Sequence, residues 1–281
     1  MDFGLSEEQQ LLQQTIEQLL RSECPPTRVR EVFDEGTGRD DALWAKLLEL
    51  GLGGLAVPEE KGGAGLGLLE LALAAETLGH GAAPGPFLFH GLAGLALRLG
   101  GSPAQQERWL PKLAAGEALG SVALAEEGGL WQPEEWTLDA SGGRLSGTKT
   151  WVPYAAEADL LVVGVRGGGL ALVETAAGGV EAKDAGGVDR TRRLDVLRLD
   201  GASAELLPGE DAGERLRDAA CVLLAADALG GAGRLVEASV QYANQREQFG
   251  VTIGHFQALK HQLAEMALAV EPARGLVWYA A

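Results

Sequence analysis

Residues 242–266, YANQREQFGVTIGHFQALKHQLAEM, join two segments that have the apolar spacing of amphipathic helices. Before this stretch, apolar residues share one helical face, namely Leu229, Ala232, Val236, Val240 and Ala243. Within and after it, apolar residues recur every three or four positions, namely Phe256, Leu259, Leu263, Met266 and Val270. This period is typical of helices with one buried face. With a break at 250–254, the pattern predicts an αα-hairpin.

The chain ends at Trp278-Tyr279-Ala280-Ala281, without the Gly, Asn or basic last turn that commonly ends a helix. We therefore expect a helix that continues, and a C-terminal helical bundle that is incomplete here. The apolar face of a helical pair has to be buried. Its expected cover is either another chain or further sequence.

The part of the chain before this hairpin divides into a helical region and a β region. Residues 1–118 predict helices, with Ser6 as an N-cap and Gly79 as a helix stop. These predicted helices cover an opening segment after Ser6 and then about 41–51, 66–78, 87–99 and 105–113. Residues 119–210 contain short apolar runs between Gly and Asp turns, so we predict a β domain. One predicted hairpin joins 160–163 to 170–173, and another turns at Asp200 and Gly201. Residues 211–281 form the C-terminal helical domain, and the fold class is α+β.

The overall composition excludes several classes of function. Among 281 residues, 46% are hydrophobic and the formal charge is −17, which is unfavourable for binding nucleic acid or an anionic membrane. Cys24 and Cys221 have no CxxC partner, so we expect buried thiols and no metal site. The N-terminus, MDFGLSEEQQ, lacks the features of a signal peptide, and no apolar run is long enough to span a membrane. We expect a cytoplasmic protein.

The opening stretch also carries a specific motif, in which Tyr242 precedes Arg-x-x-Phe-Gly at 246–250 and a Gln and a Leu-Ala-x-Met follow. Weaker matches are Val-Pro-Glu-Glu at 57–60, Gly147-x-Lys149-x-Trp151, and Ala-Asp at 158–159. In this order, the chain resembles the acyl-CoA dehydrogenase family. The resemblance implies a helical domain, a β domain and a four-helix bundle. It also implies FAD as cofactor and the α,β-desaturation of an acyl-CoA thioester.

The resemblance assigns cofactor roles to four residues. Arg246, Phe249 and Gln257 match positions that reach the FAD of a neighbouring subunit, and a guanidinium suits a pyrophosphate because it donates two parallel hydrogen bonds. Trp151 matches a residue beside the flavin ring. Each also has a purely structural interpretation. Arg246 could face a helix C-terminus, Phe249 could fill a core, Gln257 could cap a turn, and Trp151 could fill the sheet.

The chain departs from the family pattern where a subunit's own flavin and catalytic base would lie. Ala125 and Glu127 replace a Thr and a Pro, and Pro153 stands where Thr or Ser is common and offers neither an N–H nor a hydroxyl. One family position for the base is Ala220, and other members carry the base beyond residue 281. The catalytic residues are therefore unassigned.

The leading hypothesis is a subunit of a heteromeric acyl-CoA dehydrogenase that contributes Arg246 and Gln257 to FAD held mainly by a paralogous chain. The resemblance implies a heterotetramer with two copies of each chain (α2β2), and a role in lipid metabolism and steroid catabolism. One alternative is a self-sufficient homotetramer whose last helices are missing from this sequence. The other is an acyl-CoA-binding scaffold without enzymatic activity.

Overall fold

A computed structural model describes residues 4–281, so the expectation about a signal peptide falls partly outside the described residues. The first helices are α1 Glu7–Glu23, α2 Pro26–Glu35, α3 Asp41–Glu49, α4 Leu68–His80, α5 Phe87–Gly100 and α6 Pro103–Ala115. The strands are β1 Gly120–Ala123, β2 Arg144–Pro153, β3 Leu160–Val165, β4 Gly169–Glu174, β5 Val180–Asp184, β6 Leu194–Ser203 and β7 Glu205–Leu206. The last elements are α7 Ala212–Gln245, β8 Glu247–Gln248, β9 Val251–Thr252 and α8 Gln257–Ala280. This order of helices, strands and helices confirms the predicted fold class.

Polar side chains cap the starts of three N-terminal helices. The Ser6 hydroxyl accepts a hydrogen bond from the Gln9 amide at 3.2 Å, and the Gln9 side chain accepts one from the Ser6 amide at 2.9 Å. Ser102 and Gln105 form the same reciprocal pair before α6, and Asp40 caps α3. These caps satisfy amides that a helix start leaves without partners. The prediction of Ser6 as an N-cap is confirmed.

Helix α4 continues through Gly79 to His80, so the predicted stop at Gly79 is wrong. Gly79 has a packing role instead, because a Cβ atom there would overlap the carbonyl oxygen of Asp227 in α7. In the same contact, a Cβ atom on Gly230 would overlap the carbonyl oxygen of Glu76. The two glycines therefore allow the backbones of α4 and α7 to approach closely.

Strands β1 to β7 form two sheets that enclose an apolar core. One sheet has the order β1-β3-β4-β7, with β1 parallel to β3, and the other has the order β2-β6-β5. The core between them consists of buried aliphatic residues such as Leu145, Val163 and Leu197. Strands β3 and β4 pair antiparallel around the predicted turn, so the first hairpin is confirmed.

The second predicted hairpin is wrong, because β6 runs straight through Asp200 and Gly201. Leu145 pairs with Ala202 and Gly147 pairs with Leu199, so β6 contains one more residue than β2 between these pairs. Gly201 has a φ of 63°. The Asp-Gly pair therefore forms a β-bulge within a continuous strand rather than a turn.

The described chain divides into two units. One comprises the residues up to Pro25, Ala72–Ala83 and Val222–Ala281, and the other comprises Pro26–Leu71 and Pro84–Cys221.

By length and composition alone, helix α7 is long and apolar enough to cross a membrane, a property that core helices share.

The two cysteines differ in exposure. Cys24 is buried as expected, whereas Cys221 on α7 is exposed, so the expectation of buried thiols is correct for Cys24 and wrong for Cys221.

Candidate functional site

A tight hairpin joins α7 to α8 and presents the Arg-x-x-Phe-Gly motif. Strands β8 and β9 pair antiparallel, and the carbonyl of Arg246 accepts a hydrogen bond from the amide of Ile253 at 2.7 Å. Phe249 and Gly250 form the turn, with φ values of 57° and 79°. Positive φ at both central residues is the geometry of the two-residue turns that suit hairpins. Glycine adopts this conformation at little cost, but an aromatic residue rarely does.

The side chains of this hairpin point into solvent. Phe249 is 93% exposed and touches Phe256 edge-on, with ring centroids 6.2 Å apart. The interpretation of Phe249 as a core residue is therefore wrong. Arg246 is exposed, and no residue within 4–281 forms an ion pair or hydrogen bond with its guanidinium. The hairpin thus carries an exposed aromatic residue with positive φ and an exposed cation.

Gln257 is the first residue of α8, and its side chain is also exposed. The preceding residue, Phe256, occupies the N-cap position but provides no side-chain cap. The first amides of α8 thus lack a capping side chain. Arg246, Phe249 and Gln257 therefore lie on one short segment, between the end of α7 and the start of α8.

Trp151 lies in the other unit, on a bulge near the end of β2. Lys149 pairs with Leu197 and Val152 pairs with Asp195, so β2 has one extra residue in this interval. Trp151 has a φ of 54° and is 57% exposed. The interpretation of Trp151 as a residue that fills the sheet is wrong, because the bulge directs the indole outward.

A buried ion pair lies next to this bulge. The Lys149 ammonium donates to Oε1 of Glu126 at 2.7 Å, and both side chains are almost fully buried. Burial lowers the pKa of Lys149 to about 8, which Glu126 partly opposes. Burial alone would raise the pKa of Glu126, but hydrogen bonds from Lys149 and Thr137 keep it below its ordinary value. Both groups are therefore charged near neutral pH. The motif Gly147-x-Lys149-x-Trp151 contains Lys149, but no pattern in the sequence paired this lysine with Glu126.

The loop after β1 begins with the residues that depart from the family pattern. The Glu126 amide donates to the carbonyl of Leu130 at 2.7 Å, which closes a small turn. Ala125 contributes a carbonyl that accepts from Thr150. At the other side of the bulge, the carbonyl of Pro153 accepts from the Ser121 hydroxyl. Neither Ala125 nor Pro153 provides a side-chain donor.

A groove of about 630 Å³ opens beside the same loop, between Glu127, Asp139, Arg144 and Arg166. Its two guanidiniums are already engaged, since Arg144 donates to the Gly201 carbonyl at 2.8 Å and Arg166 to the Thr137 carbonyl at 3.0 Å. With carboxylates on its wall, the groove is not a phosphate cradle.

Within the described residues, the position where some members of the family carry the catalytic base has no carboxylate. Ala220 is buried on α7 and cannot take a proton. Glu214 lies in the first turn of the same helix, where negative charge is favourable. His255 and His261 are exposed on the segment around Gln257. No group of three or more potential metal ligands occurs in residues 4–281.

Comparisons with known proteins identify the class. The family model described as "Acyl-CoA dehydrogenase, N-terminal domain" matches residues 6–117, and "Acyl-CoA dehydrogenase, C-terminal domain" matches residues 218–281. The chain belongs to the acyl-CoA dehydrogenase family, which consists of oxidoreductases. Solved structures of similar chains include one complexed with FAD.

Three similar proteins define the resemblance more closely. Acyl-CoA dehydrogenase IpdE2 of Mycobacterium tuberculosis is 34% identical, over 96% of this chain and 74% of its own length. A variant of the Tcur3481-Tcur3483 steroid ACAD has a TM-score of 0.89 and 35% identity, over 98% of this chain and 77% of the other. The ChsE4-ChsE5 complex from Mycobacterium tuberculosis has a TM-score of 0.86 and 30% identity, over 97% of this chain and 81% of the other.

Proposed function

We propose that this chain is a subunit of a heteromeric, FAD-dependent acyl-CoA dehydrogenase and contributes Arg246 and Gln257 to FAD held mainly by a paralogous partner. The proposal depends chiefly on one observation: Arg246, Phe249 and Gln257 are all exposed on the short segment between the end of α7 and the start of α8. Exposed aromatic and cationic side chains on a fixed backbone are suited to binding a partner or ligand.

The chemistry of this hairpin fits a dinucleotide. An unpaired guanidinium can donate two parallel hydrogen bonds to a pyrophosphate, and the amide of Gln257 adds a neutral donor. In a chain with a formal charge of −17, such a cation gives a local site for an anion. When bound, FAD would supply the hydride acceptor for α,β-desaturation.

The β region fits the flavin less well. Ala125 and Pro153 provide no side-chain hydrogen bonds, although Trp151 offers an exposed aromatic face. Ala220 leaves one family position for a base without a carboxylate. We therefore assign the base and most of the flavin pocket to the partner, since proton abstraction needs a group within hydrogen-bonding reach.

Two similar structures support the heteromeric arrangement and the class of substrate. The Tcur3481-Tcur3483 pair is a steroid ACAD, and ChsE4 and ChsE5 form a complex. By this analogy, we infer a heterotetramer with two copies of each chain, acting on the acyl-CoA ester of a steroid. The inferred substrate is therefore a bulky thioester rather than a simple fatty acyl-CoA.

Purification of the chain alone and with a paralogous chain tests this proposal. We expect flavin absorbance and acyl-CoA oxidation only in the complex. If the chain alone holds stoichiometric flavin and oxidises an acyl-CoA, the self-sufficient homotetramer is correct instead. If no complex of this chain contains flavin, the scaffold interpretation is correct.

A further inference from the structure

We propose that the buried ion pair between Glu126 and Lys149 is a positioning device that holds Trp151 in its exposed, left-handed conformation. The link from Trp151 to a flavin rests on the function proposed above, whereas the effect of the ion pair on Trp151 belongs to this chain alone. Neither charged residue touches solvent appreciably, so their effect on a ligand has to pass through the backbone.

Contacts of the segment before the bulge support this role. The Thr150 amide donates to the Ala125 carbonyl at 2.9 Å, and the Thr150 hydroxyl donates to the Glu126 carbonyl at 3.1 Å. The Thr137 hydroxyl in turn donates to Oε2 of Glu126 at 2.6 Å. The ion pair and these hydrogen bonds fix the segment before Trp151 to the loop after β1.

The conformation of Trp151 needs such support. A φ of 54° is unfavourable for an aromatic residue, because its Cβ atom crowds the backbone in the left-handed region. Exposure of 57% means that burial of the indole compensates little of this cost. Without the bulge, β2 would regain regular alternation, and a shift of one residue would turn the side chain to the opposite face.

The chemistry of the ion pair indicates that it fixes the local geometry rather than adding to the stability of the fold. A buried ion pair usually adds little net stability relative to apolar residues of similar volume, because both charges lose water. Its directional hydrogen bonds, however, define where Lys149 and Glu126 lie relative to each other. Two apolar side chains would fill the same space without fixing the positions of residues 126 and 149 relative to each other.

The test uses the full chain labelled with 5-fluorotryptophan, in which Trp151→Phe identifies the fluorine signal of Trp151. In the wild type, Trp151 should give a single fluorine signal with the solvent-isotope shift of an exposed indole. Lys149→Met should broaden or move that signal. The double variant Glu126→Leu/Lys149→Met should recover stability by removing both charges, yet it should still show the altered Trp151 signal.

Glu76→Gln is the matched control, because Glu76 forms a partly buried ion pair of the same length, 2.7 Å, with Arg274 in the other unit. This variant should lose stability and leave the Trp151 signal unchanged. An unchanged Trp151 signal in the double variant would overturn the proposal. Failure of both Lys149 variants to fold would also overturn it, since the pair would then serve general stability.

A second measurement separates this inference from the proposed function. If the Trp151 signal moves in the double variant and the flavin absorbance of the heteromeric complex also shifts, both proposals are supported. If the signal moves while the flavin spectrum stays the same, the positioning role is supported and contact between Trp151 and the flavin is excluded.

Discussion

Trp151 and Phe249 are aromatic residues that adopt positive φ angles, at 54° and 57°. Each residue belongs to a sequence motif that singled it out, but the motifs could not predict the backbone conformations. The bulge at Trp151 arises from pairing between β2 and β6, which are distant in sequence. The Glu126–Lys149 pair likewise joins residues that are 23 positions apart. The spacing of apolar residues along the sequence predicts local structure, so it cannot predict contacts between residues that are distant in sequence.

Replacement of Arg246 by Gln tests the assigned anion contact. The change keeps a polar side chain but removes the charge and the bidentate donor. We expect flavin to bind the heteromeric complex about 10- to 100-fold more weakly, as is typical when a charged hydrogen bond is lost. Titration of the flavin-free complex with FAD, followed by flavin fluorescence, measures this change.

Arg234→Gln is the matched control for this experiment. Arg234 is an exposed cation on α7, with Glu237 as a partner at 3.8 Å. FAD affinity should be unchanged in this variant. Equal FAD affinity in the Arg246 variant and the wild type would contradict the assignment.

His90 makes stability dependent on pH. Its Nε2–H donates to the Leu113 carbonyl at 3.0 Å, and its Nδ1 accepts from the Gly120 amide at 3.3 Å, so the native ring is neutral. Burial lowers the pKa of His90 to about 4, from an ordinary value of 6.5. As the pH falls from 6.5 to 4, the unfolded chain binds a proton that the native chain does not. The free energy of unfolding should therefore fall by up to about 3 kcal/mol in this window.

Urea unfolding of the wild type and His90→Gln, at several pH values between 7.5 and 4.5, checks this effect. The variant should be less stable at neutral pH but should lose less stability on acidification, because residue 90 no longer titrates. Parallel pH profiles for the two proteins would show that His90 is not the source of the dependence.

At the scale of elements, repeated apolar spacing predicted the helices of the αα-hairpin and the β3–β4 turn. The errors occurred at glycines. Gly79 looked like a helix stop and Gly201 like part of a turn, yet one is a packing contact and the other lies in a bulge. A glycine permits all of these structures, and tertiary contacts decide among them.

Gly230→Ala tests the close contact of α4 with α7. Alanine favours helix by about 1 kcal/mol, but its Cβ atom would overlap the Glu76 carbonyl oxygen, and overpacking costs roughly 1–3 kcal/mol. We expect a net loss of stability. The adjacent Gly231→Ala is the control, because its Cβ atom would lie 3.7 Å from the Gly79 carbonyl oxygen, and it should be neutral or stabilising. Thermal unfolding compares the stabilities of the two variants with that of the wild type. A Gly230→Ala variant that is more stable than the wild type would contradict the packing role of Gly230.

For the whole molecule, the order of elements and the α7–α8 motif identified the family correctly. The apolar spacing of α7 and α8 also predicted a face that needs cover from another chain or from further sequence, and both helices carry exposed apolar residues. Four large side chains on these helices are at least 66% exposed, namely Leu235, Leu268, Leu276 and Tyr279. Exposed apolar residues of this size on neighbouring helices are consistent with a surface that is covered in an assembly.

The ratio of flavin to protein in the purified heteromeric complex tests the central claim most directly. If this chain only completes a site held by its partner, the complex should contain one FAD for every two chains, and this chain alone should contain none. One FAD for every chain would contradict the account, because each copy of this chain would then hold a flavin of its own.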